Sequence, residues 1–78
     1  MKHPEWMIAD QMNVLLHRDD YTHHERELIS AAFIGIATGT LGRDEAARSL
    51  KPLRGPHRGD EDLIRLINLL EGRKVKCP

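Results

Sequence analysis

The chain has 78 residues, enough for one domain with a small core, and a core of that size leaves a large share of surface uncovered. Twelve Lys and Arg balance twelve Asp and Glu, which excludes the marked basic excess of a typical nucleic-acid binder. The balance is uneven, because residues 1–42 hold three bases against six acids and residues 43–78 hold nine against six. That polarity can steer a charged partner or pair two copies head to tail.

Pro4 suits the first turn of a helix, where a missing N–H costs nothing, and Ile8, Met12, Leu15 and Leu16 then recur at helical spacing. A first helix is predicted at about 4–17. Thr22 stands three residues before Glu25, the pattern of a capping box, and it opens a second helix over roughly 23–38. From Leu28 onward this helix has apolar residues all around its axis, so it is expected to be covered on several sides and to form the organising element of the fold. Gly39 and Gly42 end it.

A third helix starts near Arg43, with Asp44 and Glu45 in its first turn and Ala46, Ala47 and Leu50 inward, and stops near Pro52. The segment 54–59 reads as a loop. Asp60 caps a fourth helix rich in leucine and isoleucine that ends at Gly72. The expected fold is all-α, one domain over 1–78, a small bundle of three to four helices with residues 1–3 and 73–78 flexible.

The stretch Met1 to Trp6 leads into a segment broken by Asp10, Gln11 and Asn13, which is not the apolar run of a signal peptide. The longest apolar stretch, 31–37, is too short to span a bilayer. Cys77 is the only cysteine, so no internal disulfide or thiolate metal cluster is expected, and a cytoplasmic location is the expectation.

Phe33-Ile34-Gly35, then Gly42, then Glu45-Ala46 and Leu50 follow the order of small and large residues in a tetratricopeptide-like hairpin, with Gly35 and Gly42 seven apart. There is one residue fewer than usual between Gly42 and Ala46, and Thr38 stands where an aromatic is usual. The wider arrangement, with Leu41-Gly42, Ala46-Ala47 and Leu50 followed by a leucine-rich helix, resembles the short bacterial chaperones of type III secretion needle subunits. The resemblance covers about residues 8–70. It implies a protein that shields a helix of its client, often beside a second small helical protein.

A partner helix in an apolar groove needs aliphatic anchors on facing helices, and the candidates are Ile29, Phe33, Ile36, Leu50, Leu63, Ile67 and Leu70. Any one of them can equally fill the core; as a set they exceed what a small four-helix core holds, and a homodimer would use the same surplus. A second reading is a small helix-turn-helix-like or phage-type DNA-binding regulator, since Asp44-Glu45-Ala46-Ala47 and Leu50 look like a first helix of such a unit. Lys51, Arg54, His57 and Arg58 form a basic loop suited to phosphate or to an acidic protein. Against it, the fourth helix opens with Asp60, Glu61 and Asp62 and offers only Arg65 and Asn68 as base readers.

His17, Asp19, Asp20, His23, His24 and Glu25 are all possible metal ligands, but no pair falls on one helical face at i, i+3 or i+4 within the helix. No metal, cofactor or catalytic group is predicted. Trp6 and Tyr21 flank the first helix and are expected in the core or at a groove edge.

Overall fold

The computed structural model describes residues 3–73. Residues 1–2 and the basic tail 74–78, with Cys77, lie outside the described residues. Of the ends expected to be flexible, His3 and Arg73 are tied together: the His3 ring N–H donates to the Arg73 carbonyl at 2.7 Å.

Helix α1 is Glu5–Leu16, with Pro4 one residue ahead of it in extended backbone. Helix α2, His23–Thr38, opens on the predicted capping box, in which the Glu25 N–H donates to Thr22 Oγ1 at 3.2 Å and the Thr22 N–H to Glu25 Oε1 at 2.8 Å. It closes at Gly39, whose φ of 77° is left-handed and favours glycine. Helix α3 is the short Arg43–Leu50. Pro52 does not end ordered structure there; it sits in the first turn of a 3-10 segment, Lys51–Arg54, that buries Leu53. Helix α4, Glu61–Glu71, is capped by Asp60, which accepts from the Asp62 N–H.

The helices form a ring in which α1 packs on α2 and α4, and α3 packs on the same two. The described residues are all-α, with no strand among them and no helix long and apolar enough to cross a membrane.

The covered helix is α4, not α2. Leu63, Leu66, Ile67 and Leu70 follow the i, i+3, i+4, i+7 stripe, and Leu69 widens it, so that all five reach the centre with at most 2% exposure. Helix α2 approaches its neighbours through a smaller set, Ile29, Ala32 and Gly35, which leaves Ile34 63% exposed. The physical reason is steric. A Cβ built on Gly35 would fall 2.6 Å from Leu41 Cβ, so this face can sit close only because it is small. The tight neighbour of Gly35 is Leu41, in the turn between α2 and α3.

Candidate functional site

Of the seven aliphatic and aromatic residues predicted to line a groove, Ile29, Leu50, Leu63, Ile67 and Leu70 are core residues of this chain, each exposed by 2% or less. A partner could reach them only by opening the bundle, so their assignment to a groove is corrected. Four helices packed in a ring draw inward the stripe that sequence alone leaves free to face either way.

Phe33 and Ile36 are different. They are half-buried and line an open cleft of about 270 Å³ between the N-terminal half of α1 and the C-terminal half of α2. Ile8, Met12 and Ala9 form its α1 side, and Trp6, Glu5 and Ala37 stand at its edges. Trp6 is 66% exposed. The second half of α2, from Leu28 to Thr38, has no charged residue, so this face has no side-chain charge to hold water over it. Trp6 therefore extends an apolar surface beyond the cleft itself.

The basic loop meets a different fate. His57 is largely covered: its Nε2–H donates to Glu25 Oε1 at 2.9 Å, and its ring stacks on Tyr21 with centroids 3.8 Å apart and planes 4° from parallel. Tyr21 donates its hydroxyl to Asp60 at 3.0 Å. Arg18 spans the same gap, pairing with Asp20 at 2.8 Å, Asp62 at 2.6 Å and Asp60 at 3.3 Å. Lys51 reaches Glu71 at 3.5 Å. Lys51, Arg54 and Arg58 of the predicted basic set remain exposed, and His57 alone is drawn in. The loop thus lies against a row of carboxylates, the opposite of a surface that attracts phosphate.

The electrostatics follow from this clasp. The Thr22 N–H, and after it His57, holds the Glu25 carboxyl below its usual range. Arg18 does the same for Asp20. Burial, helped by Asp60, pushes the Tyr21 hydroxyl well up, and the Arg18 guanidinium is raised by Asp20 above all.

Asp20, His57 and Asp60 each offer a ligand atom within 4.8 Å of the others. The two carboxylates are already paired with Arg18, so a metal ion would have to displace a guanidinium held by three acids. Of the six residues weighed as metal ligands from sequence, only Asp20 joins this group, and Glu25 is engaged with His57.

The clasp was not legible in the sequence because its partners lie far apart along the chain: 39 residues separate Tyr21 from Asp60 and 44 separate Arg18 from Asp62. Arg65 and Asn68, the α4 residues weighed as base readers, are each partly buried beside the core stripe of that helix.

Compared with known proteins, the chain matches no family model, no curated protein and no solved structure at a significant level.

Proposed function

We propose that this chain is a small adaptor or chaperone that holds a helical segment of a partner protein, seating an apolar anchor of that segment in the α1/α2 cleft. The observation that carries the reading is Trp6, a large aromatic left 66% exposed beside a cleft lined by Phe33 and Ile36. Surface aromatics next to apolar concavities are the usual anchors of protein recognition. A volume of about 270 Å³ is small for a drug-sized ligand and suits one or two side chains. The role is binding without chemistry. A needle-subunit helix in type III secretion is the client that the resemblance of the 41–50 run implies.

A photo-crosslinking amino acid placed at Ala37 on the cleft edge, and separately at Glu61 beside the clasp, tests this in the cell that makes the protein. Crosslinks to one partner from position 37 and not from 61, lost with Phe33→Ala, are expected. Equal capture at both positions would sink the reading.

A further inference from the structure

We draw no further inference here: the strongest candidate, the apolar cleft between α1 and α2 with Trp6 exposed at its edge, belongs to the site already described, and nothing in the structure shows what covers it beyond that reading.

Discussion

The two ends of the α1/α2 pair are built on opposite principles. Where α1 ends and α2 begins, Arg18, Asp20, Tyr21 and Glu25 are matched by His57, Asp60 and Asp62 from the far part of the chain. Where α1 begins and α2 ends, the side chains are Trp6, Phe33, Ile36 and Ala37, and none of the described residues covers them fully. A polar end whose side chains pair with one another, the buried Arg26 Nε–H excepted, has little left to offer a partner, whereas an apolar end gains free energy from any surface that excludes water. The closed end holds the fold together, and the open end is where binding is to be sought.

Removing His57 tests the closed end most directly. His57→Ala deletes the stack on Tyr21 and leaves the Glu25 carboxylate without its ring partner, so chemical denaturation should show a loss of about 1–3 kcal/mol. A midpoint that does not move would mean the clasp is a solvated contact with no weight, and the contrast between the two ends would lose its basis.

Acid should act on the same end. The Glu25 carboxyl is held below its ordinary range by the Thr22 N–H and by His57. A depressed folded value stabilises the fold above the unfolded value, and that contribution disappears as pH falls through the folded one. Denaturation midpoints should therefore hold from neutral pH down to the ordinary glutamate value of 4.5 and fall as pH drops below it. Glu25→Gln should flatten that slope, and an unchanged slope would place the acid sensitivity elsewhere.

The open end should respond least in stability. Trp6→Ala removes a side chain that is 66% exposed, and the expected change is within about 0.5 kcal/mol, while partner binding is lost. A large destabilisation would show Trp6 to be a folding residue, and the open end would no longer differ in kind from the closed one.

Helix starts and stops were legible because their causes are local. Thr22 and Glu25 reach each other within one turn, and Gly39 and Gly72 supply the left-handed residues that end α2 and α4. The burial of α2 was misjudged for the complementary reason. Its apolar residues on all sides say nothing about how many neighbours a ring of four helices provides, and here no described helix covers its outer face, so Ile34 is left 63% exposed. Within the candidate site, Phe33 and Ile36 were found by their apolar character, but the same character drew in five residues that the bundle keeps for itself.

The sequence by itself determined the all-α class, the order and ends of four helices, and the surplus of aliphatic side chains, because propensity, capping and periodicity act over a few residues at a time. Tertiary structure alone decided which of those side chains became core, that His57 of the basic loop is spent on Glu25, 32 residues away, and Lys51 on Glu71, and that the uncovered apolar surface lies between α1 and α2. Those outcomes depend on which helix faces meet, and that is settled by the packing of the whole chain at once.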